Sequence, residues 1–156
     1  MLYMRFFHFL GVALWIGGAI AAFTVARSIG SQPAEARRIF WPHVARIHAL
    51  VIGPGAMLTV ITGVLLTMSL VNRGMTEVMA RPGIIIMQGA GIIAAVIALF
   101  VGVPTANQLG ALGRGDDALG SDGTQLAARL RKRQAIASSV AGVLTLVALF
   151  AGAVIK

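Results

Sequence analysis

Charged side chains punctuate this chain rather than cover it. Between them run four apolar windows, at about 6–26, 47–71, 83–103 and 135–155, each near the roughly 20 residues a helix needs to cross a bilayer core. Small and polar residues recur inside these windows at helical spacing. At about 100° per residue, His8, Gly11, Trp15, Gly18 and Ala22 share one sector of the first window, while Phe9, Val12, Ile16, Ile20 and Phe23 suit a lipid-facing sector. In the second window His48, Gly55, Thr59 and Thr62 share a face. Gln88 is the one strongly polar side chain of the third, with Gly91 and Ala95 near it, and Gln134, Ser138, Ala141, Thr145 and Gly152 align in the fourth. Stripes of small and hydroxylated residues let membrane helices approach closely and hydrogen-bond. Four such stripes predict an all-α fold, an integral membrane antiparallel four-helix bundle forming a single domain over 1–156. The hydroxyls of Thr59, Thr62, Ser138 and Thr145 are expected to bond carbonyls of their own helices.

The connections carry their own signals. Pro42 and Pro82 sit where a first helical turn would begin, a position at which a missing N–H costs nothing. Trp41 beside Pro42 suits a membrane interface, and Gly53-Pro54-Gly55 should bend the second span. The stretch "LGRGDDALGSDG" reads as a flexible loop. The basic "TQLAARLRKR" that follows reads as an extension of the fourth helix toward anionic headgroups, with Leu126 and Leu130 on one face. Ala19-Ile20-Ala21 resembles a signal-peptidase site, but the apolar run continues to Val25, so the first window is expected to be a retained span.

Composition narrows the classes further. Hydrophobic residues make up 58% and charged residues 12%, an imbalance that points to an integral membrane protein. A net charge of +8 would suit nucleic acid, but the basic residues flank apolar runs instead of forming a basic face, so no nucleic-acid partner is expected. Nine Lys/Arg fall in residues 27–46 and 104–133, against four on the opposite side (Arg5, Arg73, Arg81 and Lys156). Positive-inside reasoning therefore puts Ser31 and Asp117 in the cytoplasm and both termini outside. Anionic headgroups at the cytoplasmic side are the expected lipid partners, and a membrane protein partner or a homo-oligomer fits the class. Cysteine is absent, which removes thiolate sites and thiol nucleophiles. No Asp or Glu lies within any window, no matched pair of interrupted helices is expected, and no HExxH, P-loop, dinucleotide or nucleophile-elbow motif occurs.

His8 is the titratable ring that this composition leaves to explain. One reading is an interfacial histidine bonded to a neighbouring hydroxyl or carbonyl. Bis-histidine haem ligation is disfavoured, because His8 lies near one surface while His43 and His48 lie near the other. Methionine offers a softer partner. Met4 precedes His8 by one turn, and Met68, Met75, Met79 and Met87 cluster around the connection at the same end. Imidazole with thioether is a ligand set for Cu(I), and one His with one Met also suits haem. The candidate metal ligands are therefore His8, Met4, Met75, Met79 and Met87.

The pattern "HFLGVALWIGG", a basic loop and "RIHALVIGPGAMLTVITGVLL" resemble the copper-resistance D membrane domain and its four-helix relatives, and more remotely the bacterial membrane protoporphyrinogen oxidase. The likeness covers residues 5–66, and the second half follows only in hydropathy. It implies a bundle in the bacterial inner membrane whose first-helix histidine touches copper or haem b, and His8 is the one residue carried over; Trp15 and Gln88 are this chain's further candidate cofactor contacts. In the oxidase relatives a third-helix lysine accompanies that histidine; this chain's third window has Gln88 and no lysine. Three functions stay open: copper or haem binding near the outer face through His8, an accessory or structural subunit without a cofactor, and a haem-dependent oxidoreductase of the oxidase type.

Overall fold

The computed structural model describes residues 2–72, 74, 81–114 and 120–154. Among them are four helical rods long and apolar enough to cross a membrane, Leu2–Ser28, Glu35–Val71, Pro82–Gly113 and Ser121–Val154, and no strand. The first rod is α1 (Leu2–Ser28). The second comprises α2 (Ala34–Ile47), a π-helical turn (His48–Ile52) and α3 (Gly53–Val71). The third comprises α4 (Pro82–Ile97), a second π-helical turn (Ala98–Gly102) and α5 (Val103–Gly113). The fourth is α6 (Ser121–Val154).

Proline explains the paired π-turns. Pro54 and Pro104 each stand second in the helix after a π-turn, where they lack an N–H and crowd the carbonyl four residues back. The widened turn relieves that crowding. Gly53 N–H bonds His48 O and Val103 N–H bonds Ala98 O, both across five residues. Sequence reasoning expected a distortion only at Gly53-Pro54-Gly55 and no matched pair. The two central rods are in fact interrupted at equivalent places, and the interruptions touch: a Cβ at Gly53 would lie 3.6 Å from Val103 Cγ2 and 3.9 Å from Leu99 Cδ2.

Packing partners change at the π-turns. α3 runs antiparallel to α1, with His8 beside Thr59 and Thr62, Gly11 beside Thr59 and Gly55, and Gly18 beside Val51 and Ile52. α4 packs antiparallel on α6, where Gly91 meets Ala148, and α2 packs antiparallel on α5 through Gly110 and Gly113. The backbones nearly touch at two of these seams. A Cβ on Gly55 would lie 2.7 Å from the Trp15 backbone nitrogen, and one on Gly113 would lie 2.6 Å from the Arg38 carbonyl oxygen. The main core gathers Trp15, Ala22, Ile52, Ala56, Ala94, Ala95, Ala98 and Ala141 from all four rods.

Gly11, Trp15, Gly18 and Ala22 of the first stripe are buried as expected, and Phe9, Ile20 and Phe23 face outward, while Val12 and Ile16 are half-buried. The fourth stripe is corrected. Ser138 and Gly152 are exposed, and the buried face of α6 is built from Ala137, Ala141, Ala148 and Ala151.

Three rods also extend past the apolar windows. The second begins at Ala34 rather than 47 and the third ends at Gly113 rather than 103, while the fourth begins at Ser121, so that "TQLAARLRKR" extends that helix as expected. These extensions bury a second core of Trp41, Leu109, Ala127 and Leu130, with Leu112 packed against it. Trp41 is buried in this core, Leu126 is exposed while Leu130 is buried, and Pro42 lies inside α2 and not in its first turn. Pro82 does open its helix. Polar residues on their opposite faces hide the extensions of the second and third rods from a search for uniformly apolar runs. Arg38 joins this region with its guanidinium 3.0 Å from the Glu35 carboxylate.

Candidate functional site at the His8 niche

His8 lies across α3 on a seat made by Thr59, Thr62 and Gly63. Its Nδ1 is 3.0 Å from the Thr59 carbonyl oxygen and 3.2 Å from Thr62 Oγ1. A carbonyl only accepts, so Nδ1 carries the proton. Thr62 gives its own hydroxyl proton to the Leu58 carbonyl at 2.5 Å, leaving its oxygen free to accept as well. Gly63 makes room for the ring: a Cβ there would lie 3.2 Å from His8 Cε1. Nδ1 is therefore the donor, so that in the uncharged ring the lone pair falls on Nε2, which has no hydrogen-bond partner among the described residues. The ring is half-buried and meets Phe9 edge-on, with centroids 6.1 Å apart.

The other candidate ligands do not all converge here. Met4 lies one turn before His8 on the same face of α1, partly exposed. The Met87 sulfur instead lies against Gly152, where a Cβ would sit 2.5 Å from it, so Met87 belongs to the α4–α6 seam. Gln88 donates its amide to Thr67 Oγ1 in a cleft of about 190 Å³ that also includes Val64, Met68, Val71 and Asn72. At 100° per residue, that cleft is about 150° around α3 from the His8 seat. Trp15 is two turns beyond His8 and only 4% exposed, a member of the main core. Met75 and Met79 lie outside the described residues. No group of three or more His, Cys, Asp or Glu able to hold a metal occurs among the described residues.

A second polar centre stands where the two π-turns meet. His48 is buried, donates Nδ1–H to the Val44 carbonyl at 2.9 Å, and accepts from the Gln134 amide at Nε2, 2.7 Å away. Gln134 also donates to Ser138 Oγ at 3.3 Å, while its Oε1 is buried without a partner among the described residues. Both nitrogens of this ring are occupied by the protein, and that marks a structural clasp between the second and fourth rods. Fourteen residues separate Thr62 from His48, about 21 Å along the helix, so the two histidines serve separate centres. The inward stripes contained both His48 and Gln134, but periodicity could not reveal that they meet. Thr59 and Thr145 donate to the Gly55 and Ala141 carbonyls at 2.8 Å, as expected of helix-bound hydroxyls, whereas Ser138 accepts from Gln134.

Gln134→Leu would strand His48 Nε2 inside the bundle. The expected cost is about 1–2 kcal/mol, because a buried acceptor loses its donor while the orphaned Oε1 disappears with it. Thermal unfolding of the detergent-purified protein measures this. Ser138→Ala should be nearly neutral, and a neutral Gln134→Leu would mean that the clasp is not structural.

No protein-family model, curated protein or solved structure matches the chain.

Proposed function

We propose that this chain is a multi-pass protein of the bacterial inner membrane, of the copper-resistance D-like type, that binds copper or haem b near its outer face through His8. Membrane insertion is supported by the four long apolar rods and by their outward side chains. Large apolar residues on those faces are strongly exposed, Ile20 at 61% and Leu50 and Phe100 at 72%. The excess of Lys/Arg at the α2–α5 end supports a cytoplasmic position for that end, with both termini outside.

One observation carries the functional reading: the His8 Nδ1–H is tied to the Thr59 carbonyl and Thr62 hydroxyl while Nε2 has no partner among the described residues. Metal-binding histidines are commonly oriented this way, because the backbone bond fixes the tautomer and raises the basicity of the other nitrogen. His8 with Met4 fits the imidazole–thioether chemistry of Cu(I), and the His8 imidazole alone would offer one axial ligand to haem iron. Bound copper or haem would supply one-electron chemistry. This chain's contribution is to orient the ring through Thr59, Thr62 and Gly63. Met87 and Gln88 point elsewhere, so further donors would come from Met75 or Met79, which lie outside the described residues, from a membrane partner or from a second copy of the chain. The oxidase-type reading is weaker, since Gln88 has no charge and is engaged with Thr67.

Titration of the purified protein with haem b and, separately, with Cu(I) tests the proposal. Haem binding is expected to give a Soret band saturating at one haem per chain. Copper binding is expected as Cu(I) retained through gel filtration. If neither is retained, the reading of an accessory subunit without a cofactor replaces this one.

A further inference from the structure

A groove of about 480 Å³ runs between α6 and the third rod at the basic end of the bundle. It is lined by Arg129, Lys132, Arg133, Ile136, Ala137 and Val140 from α6, facing Ile97 and Val101. The spacing separates charge from hydrocarbon along one stripe. Arg129, Lys132 and Arg133 occupy i, i+3 and i+4, while Ile136 and Val140 continue the same face one and two turns further on. From 129 to 140 the stripe is about 16 Å long, with cations at one end and an apolar wall at the other. All three cations are exposed, and none has an ion-pair partner among the described residues.

We infer that this groove is a binding site for an anionic phospholipid. The headgroup phosphate sits among Arg129, Lys132 and Arg133, and an acyl chain lies along Ile136 and Val140 against Ile97 and Val101. Charge complementarity selects the headgroup, because a basic cluster at the cytoplasmic boundary attracts anionic lipid. The apolar wall directly beyond the cations selects a lipid over a soluble phosphate, which would leave that wall uncovered. The inference rests on the membrane reading and is independent of His8.

Native mass spectrometry of the detergent-purified protein with phosphatidylglycerol or phosphatidylcholine tests it. Wild type is expected to retain phosphatidylglycerol at least tenfold better than phosphatidylcholine. The triple variant R129Q/K132Q/R133Q should lose that preference. Ile136→Trp keeps every charge but fills the slot, so it should also lower phosphatidylglycerol retention several-fold. Arg131→Gln, on the same helix but off the groove, should leave retention unchanged, and millimolar glycerol phosphate should not compete. Unchanged retention in the triple variant or in Ile136→Trp would overturn the site. So would an Arg131→Gln loss equal to the triple's, which would indicate diffuse attraction, or full competition by glycerol phosphate, which would indicate a simple anion site. Binding of both lipids unaltered by loss of His8 separates this result from any failure of the His8 proposal.

Discussion

Gly55→Leu is expected to keep the first two rods from closing on each other. A Cβ at Gly55 already falls 2.7 Å from the Trp15 backbone nitrogen and 3.1 Å from the Gly11 carbonyl oxygen, and main-chain atoms cannot rotate aside as a side chain could. Overpacking a core typically costs about 1–3 kcal/mol when side chains can adjust. Here α1 and α3 must separate along their whole seam, and close approach is what holds membrane helices together. The expected result is loss of monodisperse protein, or destabilisation of several kcal/mol where some survives. Gly18→Leu should be milder, because a Cβ there meets the Ile52 and Val51 side chains at 2.9 and 3.0 Å and not the backbone. Phe9→Leu should shift thermal unfolding by about 0.5 kcal/mol at most, since Phe9 is 68% exposed on the outward face. A damaging Phe9→Leu beside a silent Gly55→Leu would mean that the inward and outward faces of α1 had been exchanged.

The second large effect concerns binding. His8→Ala is expected to abolish retention of haem or Cu(I), because it removes the one imidazole at this end of the bundle, and Met4 alone is a weak ligand. The fold should persist. His8 is half-buried, and its bonds to Thr59 and Thr62 contribute about 1 kcal/mol, the scale of interhelical hydrogen bonds in membrane proteins. Thr62→Val keeps the imidazole and the Thr59 carbonyl but removes one of the two acceptors at Nδ1. Loss of such an outer partner typically costs 10–100-fold in affinity, and because the carbonyl bond remains, about tenfold is expected. The two variants together separate ligation from bulk packing: a merely structural histidine would lose stability in His8→Ala without any graded effect of Thr62→Val on binding.

How much of this was legible in the sequence follows from what each residue's neighbours are. His8, Gly11, Trp15, Gly18 and Ala22 announced the inward face of α1 because helical spacing alone sorts residues onto faces. The same spacing placed Thr59 and Thr62 on the facing stripe, so the His8 seat could be anticipated in outline. Which carbonyl accepts from Nδ1 could not, since that depends on the register between α1 and α3. Met87 shows the limit most clearly. Lying at the right end of the bundle did not bring it to His8, because the α4–α6 seam claims its side chain. The second core around Trp41, Leu109 and Leu130 escaped a search for apolar windows, being apolar on one face only. The matched π-turn at Ala98–Gly102 escaped because Pro104 lies beyond the apolar window and was not read as an interruption.

The central claim is that His8 presents a bare Nε2 as a ligand, and nitrogen-15 NMR of the histidine-labelled protein tests it most directly. The chain has three histidines, His8, His43 and His48, so their ring nitrogens can be assigned by single substitutions. The bonds at Nδ1 predict that the neutral form of His8 is the tautomer protonated at Nδ1 and unprotonated at Nε2. Addition of Cu(I) or haem b should move or broaden the His8 Nε2 resonance and leave His48, whose nitrogens are both bonded within the bundle, unchanged. A His8 protonated at Nε2, or a His8 signal indifferent to both additions, would contradict the account and leave an ordinary interfacial histidine in its place.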